Sequence, residues 1–330
     1  WYDCQGPNLS SASTSLAGNN TPVLGPIQLA PGETKKFSGT YRVTSGSDPM
    51  NDFVTANGTD TCRARTVSAA ANCSGATAVV STNPDIILQS EDGFLGAWFM
   101  NGAEMVSSAF LDPNRVNDPR WTVAGSGDFS GNGNMDLLFQ HTDGTLALWG
   151  MDGVRQSSPA RLLIPGKPGD SNVKAVATGD FNSDGKTDVL FQNTDGALSV
   201  WFMNGSRQIS SAAIPLNPGS NWKTVGTGHL SGVGSLAIIF QDADGNLAAW
   251  NMEGLNATST LRLNPPSSGD AQWRVVGTFD LNRDGKTDLL FQHSGDGTTA
   301  VWYMNGIDLI EARLLDPSKP GGTWKVVAPK

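Results

Sequence analysis

The sequence predicts an all-β protein in which residues from about 84 to 330 form a five-bladed β-propeller, the last strand of the chain completing the first blade. Three observations predict it: a period near 50 residues, a W-x-M signature repeated five times, and a strand absent from the first repeat that appears after the fifth. A fixed period of this length marks a propeller or solenoid.

Trp98, Trp149, Trp201, Trp250 and Trp302 open the signature, and Met100, Met151, Met203, Met252 and Met304 close it. Before each lies an apolar run ending in Gln (DIILQ, DLLFQ, DVLFQ, AIIFQ, DLLFQ), then an Asp-Gly turn. Two runs about such a turn make a β-hairpin. Runs this short, punctuated by Gly, do not suit helices. A further strand opens the later repeats at Trp121, Val173, Trp222 and Trp273, and its fifth copy is WKVVAPK from Trp324. Pairing Trp324 to Pro329 into the first blade removes the open edges of the toroid. The blades then span 84–120 plus 324–329, 121–172, 173–221, 222–272 and 273–323, with a variable outer strand such as RQISSAAIPL as the fourth strand. One large aromatic per blade reads as filler between sheets rather than as a sugar-stacking row.

Composition narrows the partners. A net charge of -9 and a pI near 4.7 argue against a phosphate-binding surface, so nucleic acid is not expected. No run reaches the roughly 18 to 20 apolar residues of a membrane helix, so no membrane insertion is expected. The chain opens at Trp1, which reads as a processed or truncated start. The Asn, Ser and Thr-rich surface points to a secreted, extracellular or cell-surface location. Cys62 and Cys73 flank RARTVSAAAN, readable as a hairpin closed by a disulfide. Cys4 is then the spare, available between chains; buried unpaired thiols are the alternative.

Two loops carry metal-binding chemistry: DFNSDGKTD at 180–188 and DLNRDGKTD at 280–288. Ca²⁺ takes six to eight hard oxygens, and this spacing supplies them around a turn that needs Gly. The expected ligands are Asp180, Asn182, Asp184, the Lys186 carbonyl and Asp188, and likewise Asp280, Asn282, Asp284, the Lys286 carbonyl and Asp288. An EF-hand is excluded, because its bidentate Glu position holds Phe191 or Phe291. A weaker copy, DFSGNGNMD, keeps Asp128, Ser130, Asn132, Asn134 and Asp136. In the fourth blade Val233 and Ala237 replace ligands, and the first blade retains only Asp85. A cation here pins a loop or bridges to a partner.

The D-x-N-x-D-G-x-x-D loop between two strands resembles the FG-GAP and VCBS repeats of integrin α-subunit propellers, fungal propeller lectins and bacterial surface proteins. Those relatives mostly have seven blades; a five-fold count is similar to the tachylectin propellers. The resemblance implies Ca²⁺ binding and extracellular adhesion or glycan binding rather than catalysis. Residues 1–80 lack the repeat, and LAPGETKKFSGTYRV with NDFVTANGTDTCRARTV resembles the Ig-like modules of bacterial surface proteins. Candidate strands at 22–30, 35–43, 52–60 and 63–71 fall short of the seven or so of an Ig sandwich. A strand donated by a neighbouring chain would complete it.

No enzyme is expected: His141, His229 and His293 have no metal-ligand spacing, and no nucleophile elbow or phosphate loop is present. The leading expectation is a structural or adhesion protein of the cell surface or matrix, self-assembling into filaments through the N-terminal module. The alternative is a secreted lectin whose inter-blade clefts bind glycans. Expected partners are therefore copies of the chain itself, with glycans or surface proteins.

Overall fold

The computed structural model describes 85–169, 172–230 and 235–329 in full; before these it describes only backbone strands. The chain divides into two compact units, Trp1–Val79 and Val80–Lys330.

In the first unit an antiparallel sheet runs in the order Asn19–Leu24, Asn8–Leu16, Asn51–Asp60, Arg65–Ser74, with Ile27–Gln28 pairing Asn8 and Leu9. The Asn8–Leu16 strand was not expected, because NLSSASTSL has no apolar alternation. RARTVSAAAN is not a hairpin: Arg65–Ser74 is one strand, in register from Asp60↔Arg65 to Asp52↔Cys73. It holds neither Gly nor Pro to reverse the chain. The expected strand at 35–43, together with Cys4 and Cys62 and hence any pairing of the cysteines, lies outside the described residues.

The second unit is all-β and repeats an antiparallel sheet. The third blade is the regular example, with strands Lys174–Gly179, Asp188–Gln192, Leu198–Asn204 and Arg207–Ala213 paired in chain order. The fourth (Lys223–Gly228 to Asn256–Ser267) and fifth (Trp273–Phe279 to Asp308–Leu314) repeat it. In the first blade Lys325–Ala328 pairs Ile86–Gln89, with Val326 opposite Leu88. Contacts between neighbouring first strands run in a closed cycle through all of these sheets. The second blade departs at its edge. Its outer segment breaks into Arg155–Gln156, which bridges to Asp112 of the first blade, and Arg161–Leu162, which pairs Ala147 and Leu148. Pro159, which has no N–H to donate, interrupts a continuous strand there.

The second strands are buried along their length, apart from the half-buried His141 and His293 at the ends of two of them, because each is packed on both faces. Apolar clusters fill the gap between each pair of neighbours, and the gap between last and first is filled in the same way by Leu290, Val301 and Tyr303 against Ile86, Trp98 and Val326. The signature methionines are all buried, as are Trp98, Trp201 and Trp250; Trp149 and Trp302 are half-buried.

Side chains lock neighbouring sheets together in register. The Gln that ends each apolar run reaches the first strand of the following blade. Gln192 donates to the Trp222 carbonyl at 2.9 Å and accepts the Thr224 N–H at 2.9 Å; Gln241 does the same with Trp273 and Val275 at 2.9 and 3.0 Å. Gln89 binds Trp121 and Val123, Gln140 binds Val173 and Ala175, and Gln292 binds Trp324 and Val326. At the other end of these strands, Thr178, Thr227 and Thr278 each donate to a carbonyl of the preceding blade.

Candidate metal loops

The loops 180–188 and 280–288 join the first and second strands of the third and fifth blades, and they are built alike bond for bond. The Asp180 carboxylate accepts the N–H groups of Asp184 at 3.1 Å and Gly185 at 2.8 Å, as Asp280 does from Asp284 at 3.0 Å and Gly285 at 2.7 Å. Asn182 Oδ1 also accepts the Asp184 N–H at 3.0 Å, and Asp184 Oδ1 accepts that of Lys186 at 3.0 Å. Asn282 and Asp284 repeat both bonds at 3.0 Å. Positive φ falls at the fourth and sixth positions: Ser183 and Gly185 in one loop, Arg283 and Gly285 in the other.

The ninth-position carboxylates do something the sequence did not disclose. Asp188 is fully buried and splits its oxygens between the loop, through the Phe181 N–H at 3.0 Å, and the W-x-M strand, through the Met203 N–H at 2.9 Å. Asp288 holds Leu281 and Met304 at 3.0 Å each, and Asp136 holds Phe129, Ser130 and Met151. These residues anchor the loop to its own blade. Burial pushes Asp188 and Asp288 up to about 6 against the N–H bonds that lower them, and the nearby Asp184 and Asp284 charges add to the rise.

The remaining expected positions sort by blade. In 128–136 Asp128 accepts N–H groups from Gly131, Asn132 and Gly133, while Asn132 accepts that of Asn134; Ser130 Oγ lies 3.4 Å from Asp128. In the fourth blade Ala237 has no carboxylate, and the Met252 N–H goes instead to the Leu236 carbonyl at 2.8 Å; Val233 lies outside the described residues. In the first blade Asp85 retains the anchoring role, accepting the Met100 N–H at 2.7 Å. Neighbouring loops are tied together: Thr187 donates to the Asp128 carbonyl at 3.1 Å, and Thr287 accepts the His229 N–H at 2.9 Å.

Carboxylate, amide and carbonyl oxygens are the donors a hard divalent cation prefers, and repulsion between Asp180, Asp184 and Asp188 is what such a cation would relieve, so the residues fit Ca²⁺. Among the described residues no three acidic, His or Cys groups converge as a ready-made cluster, because the loop carboxylates are turned onto backbone N–H groups. The histidines are not gathered with them. His141 lies between Asp118 and Asp143 against Trp121, and His293 between Asp270 and Asp296 against Trp273.

These features define the class: an all-β propeller of repeated four-stranded sheets. The FG-GAP-like repeat family model matches residues 128–191, from the second-blade loop through the third-blade loop. No curated protein matches. Among solved structures, the chain is similar to the Dos1 propeller at 10% identity and a TM-score of 0.37, over 70% of this chain and 63% of that one. It thus spans less than two thirds of that relative. It is also similar to BBS1N in its complex with ARL6DN, at 12% identity and a TM-score of 0.30, over 74% of this chain and 72% of that one.

Proposed function

We propose that the chain is a non-catalytic extracellular structural or adhesion protein that displays a Ca²⁺-stabilised propeller and assembles through its N-terminal module. The observation that carries the cation reading is the bond-for-bond identity of loops 180–188 and 280–288, in which the oxygen donors are kept while Phe181 becomes Leu281 and Ser183 becomes Arg283. Loading exchanges some N–H bonds of Asp180, Asp184, Asp280 and Asp284 for metal bonds and leaves Asp188 and Asp288 as anchors shared with the cation. The ion's role is to neutralise the crowded carboxylates and fix the loops. EDTA is expected to lower the thermal midpoint, and Ca²⁺ to restore it. An unchanged melt, together with silent Asp184→Ala and Asp284→Ala substitutions, contradicts the reading.

Assembly rests on the first unit, whose described strands make one antiparallel sheet with edges at Asn19–Leu24 and Arg65–Ser74. Such edges accept a further strand from a neighbour. Negative-stain microscopy of the purified protein is expected to show linear assemblies, and isolated discs at every concentration count against them.

A lectin reading is favoured by one observation. A cavity of about 220 Å³ lies beside Trp302, Trp273 and Phe291, where Ala300 and Ala312 leave the indole uncovered and Ser268 and Arg313 add polar groups. Aromatic faces with polar edges suit a sugar ring. A glycan array probed with Ca²⁺ present tests this reading: binding that Trp302→Ala removes supports it, and an array without signal counts against it.

A further inference from the structure

We infer that Arg283 latches the seam of the ring, standing in for the loop motif that the first blade's sequence lacks. In the second, third and fifth blades the ninth-position carboxylate holds two groups of backbone N–H donors, one from the W-x-M strand and one from its own loop. Asp85 occupies the same place in the first blade and keeps the first of these, the Met100 N–H at 2.7 Å. The sequence before it, ATAVVSTNP, carries no copy of the loop motif. The other Asp85 oxygen lies 3.4 Å from the Arg283 guanidinium, which comes from the fourth position of the fifth-blade loop.

Asp85 is the more enclosed partner, with its side chain 14% exposed against 45% for Arg283. A carboxylate so enclosed is stabilised by a second donor. Arg283 is placed to supply it by its backbone. Its φ of +63° repeats the +60° of Ser183 in the third-blade loop, so the turn is common to both, and only the side chain differs. The two blades joined this way are also the two held by the C-terminal strand, since Lys325–Ala328 pairs Ile86–Gln89 while Pro329 accepts the Thr278 N–H at 3.2 Å. The latch therefore ties loop 280–288 to the ring closure. If that loop is cation-loaded, which rests on the reading above, its order is passed to the seam through Arg283.

Hydrogen exchange of the intact chain tests this. In EDTA, Arg283→Ser, which installs the residue the third blade already tolerates at that φ, is expected to speed exchange of Lys325–Ala328 about threefold or more, with Asp188–Gln192 unchanged. Asp85→Asn is expected to do the same, the double variant to add nothing, and Arg283→Lys to restore most of the protection. Equal exchange of Lys325–Ala328 in the parent chain and in Arg283→Ser overturns the latch. Ca²⁺ is then expected to slow exchange of both loop 280–288 and Lys325–Ala328 in the parent chain, but of the loop alone in Arg283→Ser. Slowing confined to the loop in the parent chain overturns the transmission while the cation reading stands. Slowing of neither contradicts the cation reading, and the EDTA comparison still decides the latch.

Discussion

The Gln292 side chain accepts the Val326 backbone N–H at 3.2 Å, so a residue of the fifth blade grips the strand that completes the first. The same amide donates to the Trp324 carbonyl at 3.4 Å. Gln241 makes the equivalent pair to Trp273 and Val275 at 2.9 and 3.0 Å. The seam is thus closed by the device used inside the ring, at distances longer than those of Gln241 and close to the 3.3 and 3.1 Å of Gln140.

That device predicts a graded loss. Gln241→Leu leaves the Val275 N–H and the Trp273 carbonyl without their partner between packed sheets, and is expected to cost about 2–4 kcal/mol in urea unfolding. Gln292→Leu is expected to cost less, because its bonds are weaker to begin with. Equal losses at both positions contradict a hydrogen-bond origin and point to lost packing volume instead.

Close approach of neighbouring blades predicts a contrast between two glycines. A Cβ at Gly226 would fall on the Thr278 hydroxyl, which itself donates to the Thr227 carbonyl, so Gly226→Ala is expected to destabilise by about 2 kcal/mol or more. Gly185, at φ +79° with open space around it, is expected to cost only about 1 kcal/mol for the same change, from backbone strain alone. Thermal melts of the two variants separate the cases.

The propeller was legible because its parts repeat. Trp-x-Met, the Asp-Gly turn and the displaced copy at Trp324 each encode a local rule, a hairpin or a missing strand, that needs no tertiary information. The clamps were not read, although a signal existed: Gln89, Gln140, Gln192, Gln241 and Gln292 recur at the end of an otherwise apolar run, where a polar residue needs a buried partner. Asp188 and Asp288 were read only as ligands, because spacing shows the oxygens but not the Met203 and Met304 N–H groups that come from another strand. The Arg283–Asp85 contact was invisible, since the residues stand 198 apart in sequence and meet only when the ring closes. In the first unit Asn8–Leu16 escaped notice because a polar strand leaves no period to detect.

The buried anchors predict a pH dependence for the cation-free protein. Asp188 is raised from 3.8 to about 6, so its protonated form is favoured by folding. Its contribution is therefore fully present below about pH 4 and is lost as pH rises through 6. Measured in EDTA as the difference in urea midpoint between the parent chain and Asp188→Asn, the parent is expected to lose ground from pH 4 to 7. With Ca²⁺ the trend is expected to reverse, because a bound cation requires the carboxylate. A difference that stays flat in EDTA contradicts the burial effect.

The half-buried Trp302 predicts a spectroscopic asymmetry among the signature tryptophans. Trp98, Trp201 and Trp250 are each less than a tenth exposed and are expected to resist acrylamide quenching. Trp302→Phe is expected to remove a quenchable component, whereas Trp201→Phe is expected to remove a protected one. The reverse assignment contradicts an open cleft at the fifth blade.

The most direct measurement is calorimetric titration of Ca²⁺ onto the EDTA-stripped chain. The loops at 180–188 and 280–288 predict one ion for each, with Asp184→Ala and Asp284→Ala each removing one and the double variant removing both. No heat of binding in the parent chain, or undiminished binding in the double variant, contradicts the account.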